Sequence, residues 1–151
     1  MILPIGSAAQ LASITGTNDY ILNRHRTALE AILQAPIEKQ GCTDLTIGGL
    51  KFSGNAQRRK KDFLLFHGSF LLNLDIGLMQ RALPLPSRQP DYRLARPHAD
   101  FLTNLKAPAS LLKAALTDAW QAVAKLADIP LDQVRRLARE KYQQPAWNYK
   151  F

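Results

Sequence analysis

Between Asp44 and Ala56 the chain reads DLTIGGLKFSGNA, two short runs of alternating character separated by the adjacent glycines Gly48 and Gly49. A two-residue connection reverses an antiparallel pair only where positive φ is tolerated, and glycine tolerates it because it has no Cβ. The pair therefore specifies a hairpin, residues 44–47 against residues 50–56.

Upstream, residues 2–5 are apolar and end at Gly6, which suits an edge or terminal strand. Thr17 has the chemistry of a helix N-cap, and Ile21, Leu22, Leu29, Ile32 and Leu33 fall on one side of the helix that follows, up to the stop at Pro36. After the basic run 58–61, residues 63–74 read as a further strand, with a bulge or close contact at Gly68. A short helix fits residues 75–81. Pro84, Pro86 and Pro90 then make an extended loop that continues through Tyr92, Arg93, Arg96 and His98. A loop this long inside a compact domain is either disordered or functional, and its basic and aromatic groups suit anion contact.

Pro108 sits well at the first turn of a helix whose stripe is Leu111, Leu112, Ala115, Leu116, Ala119, Val123 and Leu126, and Pro130 opens a last helix carrying Val134, Leu137 and Ala138. Strand, helix, strands, then helices is the order of an α+β fold, with helices packed on a largely antiparallel sheet. At 151 residues and 46% hydrophobic content, residues 1–151 are expected to form a single domain.

The lone Cys42 excludes an intramolecular disulfide, and no Cys and His cluster has metal-ligand spacing. The start MILPIGSAAQ has neither the basic region of a signal sequence nor the length of a membrane span, so a soluble, cytoplasmic protein is expected. A formal charge of +8 attracts phosphates, nucleic acid or an acidic protein equally well. Arg58, Arg59, Lys60 and Lys61 could steer such a partner or simply solvate a hairpin end. Nucleic acid is the minor alternative, because the aromatics beside that run, Phe63 and Phe66, fall in an apolar strand.

Lys51 stands just past the tight turn and is followed by Ser53, Gly54 and Asn55, small groups that let a ligand approach the backbone. A fixed ammonium there can offset charge on a carboxylate and a phosphate as they react; its other use is that of a solvated strand lysine. Asp44 can cap a strand turn, Ser53 and Asn55 can pair with neighbouring backbone, and His67 reads as a half-buried strand residue satisfied by a carbonyl. Trp147 and Tyr149 read as an anchor for the chain end.

Five blocks carry a family resemblance. KFSGNAQ, from Lys51, matches a K-x-S-G-x-A signature, with Asp44-Leu45 seven positions before the lysine. HGSFLLNLD runs from His67 to Asp75, DFLTNL from Asp100 to Leu105, and KYQQPAWNYKF closes the chain. Together they resemble lipoate-protein ligases and the related octanoyltransferases, members of the biotin and lipoate protein ligase superfamily. The resemblance implies that Lys51 contacts the acyl carbonyl and the phosphate while an acyl-adenylate forms from ATP. It also implies that Asp44 lies near the nucleotide or its magnesium, and that Ser53, Gly54, Asn55, His67 and Gly68 line the acyl-adenylate pocket. The cofactors implied are ATP, Mg2+ and lipoate or a related acyl group, and the partner is an acyl-acceptor protein domain.

Two departures matter. Family members carry an R-R-x-x-G-G motif upstream of the hairpin, and nothing like it precedes Asp44. The resemblance is thus to the C-terminal part of the catalytic domain, and a complementing N-terminal chain or self-association is expected to cover the open sheet edge. Octanoyltransferases of the superfamily place a cysteine nucleophile near the T-N-L block, whereas this chain has no cysteine after Ser69 and Cys42 reads as a small apolar filler. An ATP-dependent ligase therefore outranks a transferase, and the competing class is a binding or vestigial module of the same fold.

Overall fold

The computed structural model describes residues 1–150. The backbone gathers into two compact units, Met1–Gln121 and a second from Ala122 on.

In the first unit the hairpin forms as the glycines dictate. Strands β3 (Asp44–Ile47) and β4 (Leu50–Arg59) pair antiparallel, and Gly48 and Gly49 take φ of 56° and 74°. They join β1 (Ile2–Pro4), β2 (Glu38–Gln40) and β5 (Phe63–Phe70) in a sheet of order β1-β5-β4-β3-β2, every pair antiparallel. The α+β class holds.

Helix α1 (Ile14–Leu33) covers one face of the sheet. It starts earlier than the Thr17 reading: Ser13 is the cap, its Oγ accepting from Gly16 N at 3.0 Å, while Thr17 turns its hydroxyl back onto Ser13 O at 2.7 Å. Both hydroxyl residues have capping chemistry, and the one further upstream leaves more of the chain helical. Ile21, Leu22 and Leu29 bury completely against Leu45, Phe52, Leu64 and Phe66. Each such side chain contributes about 1.5–3 kcal/mol, so this face dominates the stability of the unit. Arg59 is drawn into the same joint, its guanidinium donating to Leu11 O at 2.6 Å and Thr17 Oγ1 at 3.0 Å. One of the four cations of the basic run is therefore structural.

One irregularity sets the other face. Leu45 pairs with Ser53 but Thr46 pairs with Lys51, so β4 carries one extra residue, Phe52, at that point. In a regular strand Lys51 and Gly54, three apart, would face opposite sides; one inserted residue brings both to the side of Asp44. A Cβ on Gly54 would indeed lie 3.2 Å from Lys51 Nζ and 3.8 Å from Asp44 Oδ1.

Helix α2 (Ile76–Ala82) is capped by Asp75, whose Oδ1 accepts from Leu78 N at 2.7 Å. The proline-rich loop lies against the sheet through a 3-10 turn at Asp91–Arg93 and the short helix α3 (His98–Phe101). Past α3, Thr103 N donates to Lys51 O at 2.9 Å and Leu105 N to Leu71 O at 2.7 Å, so the T-N-L block is stitched to the strands that bear the site. Helix α4 (Ala109–Ala119) follows Pro108 but stops short of Val123 and Leu126. Those two are 94% and 75% exposed and lie beyond the end of the helix: the helical spacing continues in the sequence past the point where the helix stops.

The second unit holds α5 (Leu131–Leu137), one π-helical turn (Ala138–Tyr142) and α6 (Pro145–Asn148). Tyr142 and Trp147 meet edge to face at 5.4 Å, and Lys141 stands over the Trp147 ring at 4.5 Å. Trp147 thus has the packing of an anchor within its unit, while Tyr149 is exposed.

Candidate functional site

On the face set by the bulge, Lys51 Nζ lies 2.8 Å from Asp44 Oδ1, in an ion pair whose carboxylate side chain keeps only 13% of its surface exposed. The second oxygen, Asp44 Oδ2, accepts from Tyr92 Oη at 2.7 Å. Burial, and then the bond to Asp44, push the Tyr92 phenol above its usual pKa, so it stays protonated and keeps donating. Both oxygens of Asp44 are therefore committed to protein donors, and the carboxylate acts as the bracket that orients Lys51.

Lys51 opens onto a cavity of about 310 Å³. Ser53, Gly54 and Ser69 supply small groups at its strand side, and Leu71, Leu74, Met79, Pro86, Phe101 and Leu102 make the rest largely apolar. The Asn104 side chain fixes one wall: its amide donates to Leu74 O at 2.9 Å and its oxygen accepts from Leu74 N at 2.9 Å. Arg93 and His98 complete the lining from the loop. A concave, mainly apolar space with a few convergent polar groups is the usual form of a small-molecule site.

Of the residues singled out from sequence, Lys51, Ser53 and Gly54 line this cavity, and Asp44 reaches it through Lys51. Asn55 and Gly68 lie behind it as a cross-strand pair. The Asn55 amide donates to Thr43 O at 2.8 Å and Ser53 Oγ at 3.1 Å, and a Cβ on Gly68 would fall 1.9 Å from Asn55 Oδ1. The close contact expected at Gly68 is this one, and the two residues brace the strand that carries Ser53. His67 is exposed rather than half-buried and stands beyond Ser69, outside the cavity lining. Cys42 is exposed as well, at the turn between β2 and β3, and fills no core space.

Sequence reasoning named Tyr92, Arg93, Arg96 and His98 only as a mixture suited to anions. The structure assigns them separate tasks. Tyr92 holds Asp44, Arg96 ties the loop to the hairpin turn by donating to Gly49 O at 3.2 Å, and Arg93 and His98 face the cavity.

Residues 10–125 fit the family model of the lipoyl protein ligase A/B catalytic domain, and the chain belongs to that family. It is 30% identical over 120 residues to an octanoyltransferase LipM of Geobacillus kaustophilus, a match that covers 71% of this chain and 43% of the relative. It is 28% identical over 123 residues to lipoate–protein ligase 1 of Staphylococcus aureus, covering 74% of this chain and 38% of that protein. The chain thus spans about two fifths of the length of these curated relatives. Among solved structures, a lipoate-protein ligase A bound with ATP superposes with a TM-score of 0.74 at 18% identity, over 90% of this chain and 59% of the other. A bi-partite lipoate protein ligase from Thermoplasma acidophilum gives 0.76 at 17% identity, over 97% and 61%. At these identities the superpositions establish the fold.

Proposed function

We propose that the chain supplies the lysine-bearing wall of an acyl-adenylate pocket, in which lipoate or a related acyl group is activated with ATP and passed to a lysine of an acceptor protein domain in the cytoplasm. The observation that carries this reading is the Lys51 ammonium, fixed by Asp44 at 2.8 Å, in the lining of a largely apolar cavity of about 310 Å³. In the first step a carboxylate oxygen attacks the α-phosphorus of ATP and pyrophosphate leaves. In the second, the acceptor amine attacks the acyl carbonyl, AMP departs with the bonding pair, and the amine loses a proton. Both steps build negative charge where Lys51 can offset it, and a pre-oriented cation needs no reorganisation as that charge develops. Ser53 and Gly54 leave room for the head group, and the leucine and phenylalanine walls suit the alkyl chain.

Magnesium in this reading travels on the nucleotide phosphates. Among the described residues no group of three His, Cys, Asp or Glu is placed to hold a metal ion, and Asp44 is occupied by Lys51 and Tyr92. No described helix is long and apolar enough to cross a membrane.

A partner chain or second copy belongs to the proposal. Strand β1 covers β5 from Phe63 to Leu65, and Met1 extends the cover by one residue, its amino group donating to Phe66 O at 3.0 Å and its carbonyl accepting from Phe66 N at 2.9 Å, so among the described residues no strand lies beside the outer edge of His67–Phe70. Ile2, Phe63 and Leu65 are exposed near it. An open edge flanked by apolar surface is a template for strand addition. Light scattering behind size exclusion that shows a stable, compact monomer would count against this part. The ligase reading itself is tested by ATP–pyrophosphate exchange dependent on octanoate or lipoate: exchange in the wild type, reduced at least about a hundredfold in Lys51→Ala, supports it. Exchange that survives the substitution removes Lys51 from the chemistry.

A further inference from the structure

Two cations line the cavity, and they differ in what neutralises them. Lys51 is paired with Asp44, so its charge is already answered inside the protein. Arg93 is only 4% exposed, yet among the described residues it stands in no ion pair; those found are Lys39–Asp19, Lys51–Asp44 and Arg135–Asp132. A charge taken out of water without a counter-charge is costly, and chains keep such groups buried only where something answers them.

The guanidinium is also held in one orientation. Its Nε donates to Arg96 O at 3.0 Å, its Nη2 lies 3.3 Å from His98 Nδ1, and its plane sits over the Phe101 ring at 4.5 Å. Arginine has no acceptor, so His98 Nδ1 must accept and its proton must be on Nε2, which faces Pro84 O at 3.3 Å. An imidazole nitrogen, a carbonyl and an aromatic face position the fork without supplying a formal counter-charge, and Arg93 lines the same cavity as Lys51.

We infer that Arg93 is an anion-recognising residue of this pocket: it receives the charged head group, carboxylate or phosphate, of the acyl ligand, with His98 and Phe101 as the residues that aim it. The inference rests on the acyl-pocket reading above and gives it a discriminating element, because a neutral isostere of the same chain would leave the buried guanidinium unanswered. Arg93 then selects acids over amides and esters, while Lys51 serves the reacting atoms.

The test is calorimetric titration with octanoate, octanamide and octyl phosphate, without nucleotide, on wild type, Arg93→Gln and Arg93→Lys. The wild type should prefer at least one of the two anions over octanamide. Arg93→Gln should weaken that anion by about tenfold to a hundredfold, the range of a hydrogen bond to a charged group, and leave octanamide within about twofold. Which anion responds tells carboxylate from phosphate recognition. Should Arg93→Gln fail to fold, Arg93→Lys decides alone: it keeps the charge but loses the fork, so the anion weakens several-fold and octanamide does not. Equal loss for all three ligands, no loss, or a wild type without preference for either anion overturns the inference. Failure of the ligase reading looks different: no ATP-dependent exchange, with the anion preference intact.

Discussion

The two faces of the sheet are built on different principles. On the α1 side, Leu45, Phe52, Leu64 and Phe66 meet Ile21, Leu22 and Leu29 in a dry layer, and nearly every contact is interchangeable apolar area. On the Lys51 side a single bulge, one carboxylate with two donors and a tethered loop surround a cavity. The first face is redundant in kind and large in energy. The second is small in energy and depends on particular atoms, so mutations should separate the two: on one side stability should fall, on the other binding.

The largest effect on stability is expected at Phe52, which belongs to the core and is also the inserted residue of the bulge. Phe52→Ala should cost about 3–5 kcal/mol in urea denaturation, the range for emptying an aromatic core site. A cost below about 1 kcal/mol would mean that the α1 face is not the principal core.

His25 sharpens the comparison through pH. It is buried between Phe66 and Trp120, at ring distances of 6.4 and 5.9 Å, and its Nδ1 has no hydrogen-bond partner among the described residues. Burial, helped by the positive amino terminus, lowers its pKa from 6.5 to about 4. The folded state therefore refuses a proton that the unfolded state takes up below about pH 6.5, so stability falls as pH drops from about 6.5 and levels off below about 4. The full loss from this group is about 3 kcal/mol. Denaturation of wild type and His25→Phe at pH 7 and 4.5 measures it as the difference between their pH slopes. Parallel slopes would contradict a neutral, unpartnered imidazole.

Gly68→Ala tests the brace between the faces. The added methyl would collide with Asn55 Oδ1, and moving that amide breaks its bonds to Thr43 O and Ser53 Oγ. A cost of about 1–3 kcal/mol is expected, with weaker acyl-ligand binding because Ser53 loses its support. Unchanged stability would show that Asn55 has somewhere else to go. The smallest effect is expected from Tyr92→Phe, which deletes the hydroxyl on Asp44 and should cost about 1 kcal/mol. If ligand affinity were unaltered while stability fell, Tyr92 would belong to the loop's packing and not to the orientation of Lys51.

The same division explains what could be read from the sequence. Strand and helix signals on the α1 side are local: two adjacent glycines fix the turn, and apolar residues at helical spacing from Ile21 to Leu29 mark the buried side of α1. Lys51, Ser53 and Gly54 were legible through their motif, and they do line the cavity. The bulge was not legible, because Phe52 between Lys51 and Ser53 reads equally well as an ordinary strand residue. Nor was the bond from Tyr92 to Asp44, which joins residues 48 positions apart. Asn55 and Gly68 shared motifs with the lining residues but meet each other across β4 and β5, where Asn55 Oδ1 takes the space that a Cβ on Gly68 would need, a pairing that neither motif shows on its own. The stripe that continued through Val123 and Leu126 misled because periodicity records which residues could share a helix face and not where the helix ends, which is at Ala119.

The most direct test of the central claim, that the Lys51 face is an acyl-adenylate pocket, is calorimetric titration of the chain with a non-hydrolysable octanoyl-adenylate analogue, with Lys51→Ala as control. Saturable binding that Lys51→Ala weakens at least about tenfold, in a variant that remains folded, is the predicted result. A well-folded wild type that does not bind the analogue, or binding that the substitution leaves intact, would contradict it.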